Sequence, residues 1–272
     1  MNQKKIVCLH FHIFKNGGTT LEWILNQNFG SNAISKDTDD PKGILENKII
    51  LDILKKNEKI KAISSHQLRF PLPEKEGVLF IPIVFFRHPI DRAFSIYSFQ
   101  RNRTDADRPG IRKAKELDLN GYIKWNLEMK KFMPMKNFQV IFLSDKPVET
   151  KVNDLDYNLA LKRMKNCSVL GVVDRFDESL VVAEEVLRPY FPGIDLSYVK
   201  QNVSKDRSGN LEEKIEAGKK LVENETMDML MEENDFDLQL YSKANEELDK
   251  RINDIKSFEE KIIEFQKRCK KK

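Results

Sequence analysis

The sequence predicts an α/β fold with a central parallel sheet, on the strength of three observations. Strand-like apolar runs at 5–12, 60–64, 78–87, 139–143 and 169–173 alternate with segments of helical spacing, as βαβ units require. The run VLFIPIVFFR (78–87) has no polar face, as expected of a strand covered on both sides. Hydrophobic residues make up 40% of the 272 and charged residues 33%, enough for a sizeable core beneath a solvated surface.

Each element has its own signal. Residues 5–12 form the first strand, and a turn with Gly17 and Gly18 leads into a helix from Thr19 to about Asn28 carrying Leu21, Ile24 and Leu25. Segment 31–42, rich in Ser, Asn, Asp and Pro, reads as a loop, and 43–56 as a helix. A short strand, Ile60 to Ser64, stops at Ser65 and His66. After the central strand, Pro89 opens a helix through about Gln100, because proline suits a first helical turn. The charged stretch 101–116 reads as an exposed loop. A helix near 118–129, a strand from Gln139 to Leu143, a helix near 152–165, a strand from Val169 to Val173 and a helix over 176–190 follow. Asp154, Asp156, Glu184 and Glu185 read as solvated helix charges. From Glu212 the pattern is helical. Leu240, Ala244, Leu248, Ile252, Ile255, Phe258, Ile262 and Phe265 form one apolar stripe on a long helix, free to close over the domain or to meet a partner such as a second copy. The chain reads as one domain, 1–272, with 211–272 as its helical closing segment.

Composition narrows the function classes. A net charge of +4, from 47 basic and 43 acidic residues, suits a small anionic ligand and does not point to nucleic acid. Three dispersed cysteines, Cys8, Cys167 and Cys269, form no metal or disulfide framework, so the expectation is a reduced, cytoplasmic protein. The N-terminus is broken by His10, His12 and Lys15 and reads as a strand, not a signal peptide. No stretch reaches the roughly 20 apolar residues of a membrane span.

Two segments carry recognisable chemistry. In HFHIFKNGGTTLEWIL (10–25) a strand delivers a glycine turn into a helix, an arrangement that binds phosphate or sulfate through backbone N–H groups and the helix dipole. Lys15 adds a charge, and Thr19 and Thr20 add hydroxyls. A Walker A sequence places its lysine after the glycines, whereas Lys15 precedes them. In FFRHPIDRAFSIYSF (85–99), Arg87 ends the most apolar strand, where α/β sheets place ligand-binding groups, and Ser95 follows on the next helix. A turn with an incidental lysine and an arginine engaged in a salt bridge are the plainer readings of each segment alone.

Together HIFKNGGTT and RHPIDRAFSIY resemble the sulfotransferases that use 3′-phosphoadenosine-5′-phosphosulfate (PAPS), in the branch of heparan sulfate and other carbohydrate O-sulfotransferases. LGVVDRFDESL (170–180), QNVSKDR (201–207) and DFDLQLYSKANEEL (235–248) extend the likeness over most of the chain. Phe14, Asn16 and His88 depart from the family's pattern. The resemblance implies a topology akin to P-loop nucleotide kinases, with helices on both faces of the sheet. It implies that Lys15, Asn16, Gly17, Gly18, Thr19 and Thr20 face the 5′-phosphosulfate. Arg87 and Ser95 would face the 3′-phosphate, and Lys205 and Arg207 would reach the nucleotide from their loop. The product would be adenosine 3′,5′-bisphosphate, and no metal is implied.

Sulfuryl transfer requires the acceptor hydroxyl to lose its proton, and a histidine is suited to take it. His66, in SSHQLRF (64–70), matches the family's catalytic histidine, with Lys15 as its catalytic partner. His10 and His12 share a strand face, the start of a metal pair, but no third ligand is evident. The acceptor is expected to be a glycan hydroxyl, with lipid or polyketide alcohols as alternatives. Two rival readings are an ATP-dependent small-molecule kinase of similar topology and a catalytically silent nucleotide-binding scaffold that works through its C-terminal helix.

Overall fold

Among the described residues, five parallel strands in the order β2-β3-β1-β4-β5 form one sheet, and helices make up the other main elements. The computed structural model describes residues 4–40, 43–105, 108–129, 134–144, 146, 151–199 and 209–272. The strands are β1 (Lys5–Phe11), β2 (Ala33–Ser35), β3 (Ala62–Ser65), β4 (Val78–Phe86) and β5 (Val169–Val172). The helices are α1 (Gly18–Phe29), α2 (Asn47–Lys56), α3 (Pro89–Arg101), α4 (Pro109–Glu116), α5 (Leu119–Glu128), α6 (Phe138–Ser144), α7 (Asp154–Lys165), α8 (Phe176–Leu187), α9 (Leu211–Lys219), α10 (Asn224–Glu232), α11 (Asp235–Asn253) and α12 (Phe258–Cys269). None of those described is long and apolar enough to cross a membrane.

The chain divides into two compact units. The first comprises Met1–Phe86, Leu161–Gln201 and Lys243–Lys272, and the second Arg87–Ala160 and Asn202–Ser242. The whole sheet lies in the first. β1 sits between β3 and β4, with Leu9 opposite Ile63 on one side and Pro82 on the other. Pro82 is accommodated one residue before the β4–β5 ladder begins at Ile83. Ile81, Ile83 and Phe85 of β4 join Leu21, Ile24 and Leu25 of α1, Leu180 and Leu187 of α8, and Phe265 of α12 in one core. Val84 and Phe86, on the opposite face of β4, are buried as well. Both faces of the central strand are therefore dry, which is why its sequence shows no alternation.

Four expectations are corrected. The supposed loop at 31–42 contains the edge strand β2, whose three residues are too few to show alternation and pair with β3 from Ala33↔Ala62 onward. The supposed loop at 101–116 contains α4, opened by Pro109 and anchored by buried Ile111 and Ala114. The stripe from Leu240 to Phe265 is carried by two helices, not one. The chain breaks before α12, with Ser257 in a left-handed conformation (φ 53°). Phe258, Ile262 and Phe265 then pack on the first unit's own core. Finally, Glu184 and Asp156 are buried, not solvated. Glu184 accepts the Leu196 N–H at 2.7 Å and pairs with Arg268 at 2.8 Å, while Asp156 meets Lys146 at 3.2 Å.

The strand expected over 139–143 is also overturned: the segment is α6, and all seven of its residues are buried. A short apolar run cannot be assigned to strand or buried helix by periodicity. The deciding contact comes from α11, whose Asp237 accepts Gln139 N–H at 3.0 Å and Val140 N–H at 2.8 Å. A carboxylate 97 residues away thus does the work of an N-cap. Full burial raises the pKa of Asp237, opposed by the nearby Arg92 guanidinium and these N–H donors. Asp237→Ala would leave two buried N–H groups without an acceptor. It should lower the unfolding free energy by about 1–3 kcal/mol for each donor, measured by urea denaturation followed by circular dichroism.

Candidate functional site

β1 ends at Phe11, and the next residues form the turn singled out in the sequence. His12 N–H extends the strand pairing by donating to Ser65 O at 3.0 Å. Lys15 and Gly17 both take left-handed conformations, with φ of 67° and 78°. Asn16 is buried, and its Nδ2 donates to Phe85 O at 2.7 Å, fastening the turn to the end of β4. The two glycines are required for different reasons. At Gly17 the positive φ excludes most side chains, and a Cβ would stand 3.0 Å from the Phe176 ring. At Gly18 a Cβ would run into the imidazole of His12. No side chain caps the start of α1, where Thr19 is exposed and Thr20 buried.

Beside the turn lies a polar cluster that the sequence showed only in fragments. Glu22, one turn into α1, accepts hydrogen bonds at one oxygen, Oε1, from Ser64 Oγ of β3 (2.7 Å) and Ser35 Oγ of β2 (2.9 Å). His12 Nδ1 stands 3.2 Å from the same oxygen. Ser64 has one proton and gives it to Glu22, so at 2.8 Å from His10 Nδ1 it must be the acceptor of that ring's N–H. The His12 ring stacks beside His10 at 5.2 Å and packs, tilted by 33°, against His66 at 3.9 Å.

His66 follows β3 and is exposed. Its backbone N–H donates to Asp37 Oδ1 at 2.9 Å, and Asp37 also accepts from Ser65 Oγ at 2.6 Å. Its Nδ1 lies 2.7 Å from the carbonyl of His12. A carbonyl only accepts, so Nδ1 carries a proton, and the neutral ring holds its lone pair on Nε2. Desolvation of the packed side of the ring, then the adjacent His12, lower the His66 pKa below the ordinary 6.5. The His12 carbonyl, Asp37 and Glu22 oppose that shift. Full burial, then His12, takes His10 well below the same value. Burial alone would push the Glu22 carboxyl up, but hydrogen bonds from His12, Ser64 and Ser35 outweigh it and hold its pKa at about 2. The cluster thus sets an ionised carboxylate beside a neutral imidazole whose free nitrogen can take a proton.

Arg87 and Ser95 belong to the second unit. Gln139 clamps the backbone of Arg87 from both sides, donating to its carbonyl and accepting from its N–H, each at 2.9 Å. The Arg87 guanidinium pairs with Asp91, in the first turn of α3, at 2.5 Å. Ser95 is buried one further turn along. The salt-bridge role weighed for Arg87 is therefore filled, and an anion here would share the guanidinium with Asp91. Lys205 and Arg207 lie outside the described residues. Among those described, no group of three His, Cys, Asp or Glu side chains could hold a metal ion, and no third ligand accompanies His10 and His12. Sequence reasoning missed Glu22, Ser64, Ser35 and Asp37. The strand pairing sets Ser64 opposite His10 and Ser35 opposite Ser64, and α1 brings Glu22 within reach of both serines.

No protein-family model matches the chain. An uncharacterized protein of Archaeoglobus fulgidus is 32% identical to it over 244 residues, which span 88% of this chain and 96% of the archaeal one.

The cluster makes stability acid-sensitive in two steps. A histidine whose folded pKa is depressed refuses a proton that the unfolded chain accepts, so stability falls as pH drops below 6.5 through His10 and His66. Glu22, depressed from 4.5 to about 2, adds a contribution present above pH 4.5 that is lost as pH falls toward 2. Urea midpoints should therefore decline as pH falls below 6.5 and more steeply below 4.5, and Glu22→Gln should lessen the added steepness below 4.5.

Proposed function

We propose that this chain, which belongs to the same family as the Archaeoglobus fulgidus protein, is a sulfotransferase that transfers a sulfuryl group from PAPS to an acceptor hydroxyl. The observation that carries the reading is the His66 Nδ1 hydrogen bond to His12 O, which leaves Nε2 as a base beside the Gly17–Gly18 turn. The parallel strand order β2-β3-β1-β4-β5 supports the P-loop-like topology expected of such an enzyme.

The turn fits the 5′-phosphosulfate end of the nucleotide. Its left-handed residues and the uncapped first turn of α1 suit backbone N–H groups to an anion, and Lys15 adds positive charge. Asn16 spends its amide on Phe85 O, so its contribution is to hold the turn in place. The bound nucleotide supplies the activated sulfuryl group. His66 Nε2 takes the hydroxyl proton as the acceptor oxygen bonds to sulfur and the sulfur–oxygen bond to the nucleotide phosphate breaks. Lys15 and the turn's N–H groups stabilise the charge left on that phosphate oxygen, the preorganised electrostatics on which group transfer depends. Arg87 and Ser95 take the 3′-phosphate, with Asp91 competing for the guanidinium.

The resemblance favours a glycan hydroxyl as acceptor, and a cytoplasmic setting suits the free thiols of Cys8, Cys167 and Cys269. Incubation with PAPS and a panel of glycans, lipid alcohols and polyketide alcohols, read by a mass gain of one sulfate, tests the activity. Magnesium-dependent phosphorylation by ATP in place of sulfation would favour a kinase. His66→Ala should reduce transfer by about 10²–10⁴-fold, the worth of a general base, while leaving nucleotide affinity intact. A parallel loss of nucleotide binding would remove His66 from the role of base.

Nucleotide selectivity tests the 3′-phosphate assignment separately. Adenosine 3′,5′-bisphosphate should bind about tenfold more tightly than AMP in calorimetric titration, equivalent to ~1.4 kcal/mol and within reach of one charge-assisted hydrogen bond. Arg87→Ala should abolish that preference and hardly affect AMP. Equal affinity of the intact chain for the two nucleotides would overturn the assignment.

A further inference from the structure

We infer that Glu22 is the positioning residue of this site, orienting His66 through His12 and tying together the strand ends from which His66 is presented. The inference rests on the reading of His66 as the base and extends it to a residue that touches neither nucleotide nor acceptor. Glu22 Oε1 receives donors from three elements at once: Ser35 from β2, Ser64 from β3 and His12 from the segment after β1. Glu22 lies one turn beyond the glycines and reaches across the ends of three adjacent strands.

The consequence for His66 passes through His12. The carboxylate holds His12 Nδ1–H and so fixes the plane of that ring. The ring packs on His66 at 3.9 Å, and the same residue's carbonyl accepts His66 Nδ1–H at 2.7 Å. Gly18 leaves room for the His12 ring in that position. A tilt of the His12 ring would therefore remove the packing that holds the His66 ring beside the carbonyl its Nδ1–H bonds. The ionisable groups facing His66 come from several elements. They are His12 and, behind it, His10 from the end of β1, Glu22 from α1, and Asp37 from the segment after β2. Arg69 Nη1 bonds the His66 carbonyl at 3.3 Å. Glu22 and Asp37 are the carboxylates among them, and each favours the protonated ring.

The test uses the full chain with nitrogen-15-labelled histidine, without nucleotide. In the wild type at neutral pH, His10, His12 and His66 should each show a protonated Nδ1, and His10 and His66 an unprotonated Nε2. In Glu22→Gln, the His66 titration midpoint should move to lower pH, because one carboxylate that favours the imidazolium is gone. With saturating PAPS the same variant should lose about tenfold or more in kcat, part of the 10²–10⁴ that an oriented base supplies, with KM for PAPS unchanged. An unprotonated His12 Nδ1 in the wild type would overturn the inference, as would a folded Glu22→Gln variant with an unmoved His66 midpoint. Should Glu22→Gln fail to fold, the wild-type tautomers decide. Tautomers and midpoint as expected in a protein that sulfates no acceptor would overturn the proposed function yet leave Glu22 as the residue that orients His66.

Discussion

A parallel sheet gathers the carboxyl ends of its strands along one edge, where polar side chains and backbone groups need partners that neighbouring strands no longer supply. In the first unit one carboxylate oxygen organises much of that edge. Glu22 Oε1 binds groups from beyond β1, from β2 and from β3, and its low pKa records how strongly those donors prefer it ionised. Because the oxygen is shared, the hydrogen-bonding direction of its neighbours is largely determined. Ser64 donates to Glu22 and so accepts from His10, while His12 donates from Nδ1. The same accounting at the His12 carbonyl fixes the tautomer of His66.

This arrangement explains features that single residues do not. Gly18 stands where a general phosphate-binding turn would also carry glycine, yet here a Cβ would displace His12. The amide of Asn16 is committed to holding the turn against β4. Both residues contribute to the turn by placing backbone and imidazole, and neither role depends on its touching a ligand. The second unit solves its own problem in a similar way. Asp237 caps α6, Gln139 of α6 clamps the backbone of Arg87, and Arg87 pairs with Asp91. Arg92, buried beside this network, donates to Pro134 O and stacks over Phe138 at 5.0 Å, and burial brings its pKa down to about 10.

The sequence by itself determined the α/β class, the first strand, the glycine turn and its helix, the central strand within 78–87, and the start of α3 at Pro89. These are local properties: an apolar run, a helical spacing, a glycine with positive φ and a proline in a first turn all act within a few residues. It also singled out His66 as the candidate base, by its place after a strand and by resemblance. Tertiary structure decided the rest. β2 is a strand because β3 is beside it, and α6 is a helix because Asp237 reaches its first turn. The C-terminal stripe is two helices because Phe258, Ile262 and Phe265 find the core only after the break at Ser257. Glu184 looked like an ordinary helix charge and Glu22 drew no reading, because the partners that bury or bind them, Arg268 and Ser64, lie 84 and 42 residues away. A hydrogen bond between distant residues leaves no periodic trace in the chain, and most of the cluster around His66 is made of such bonds.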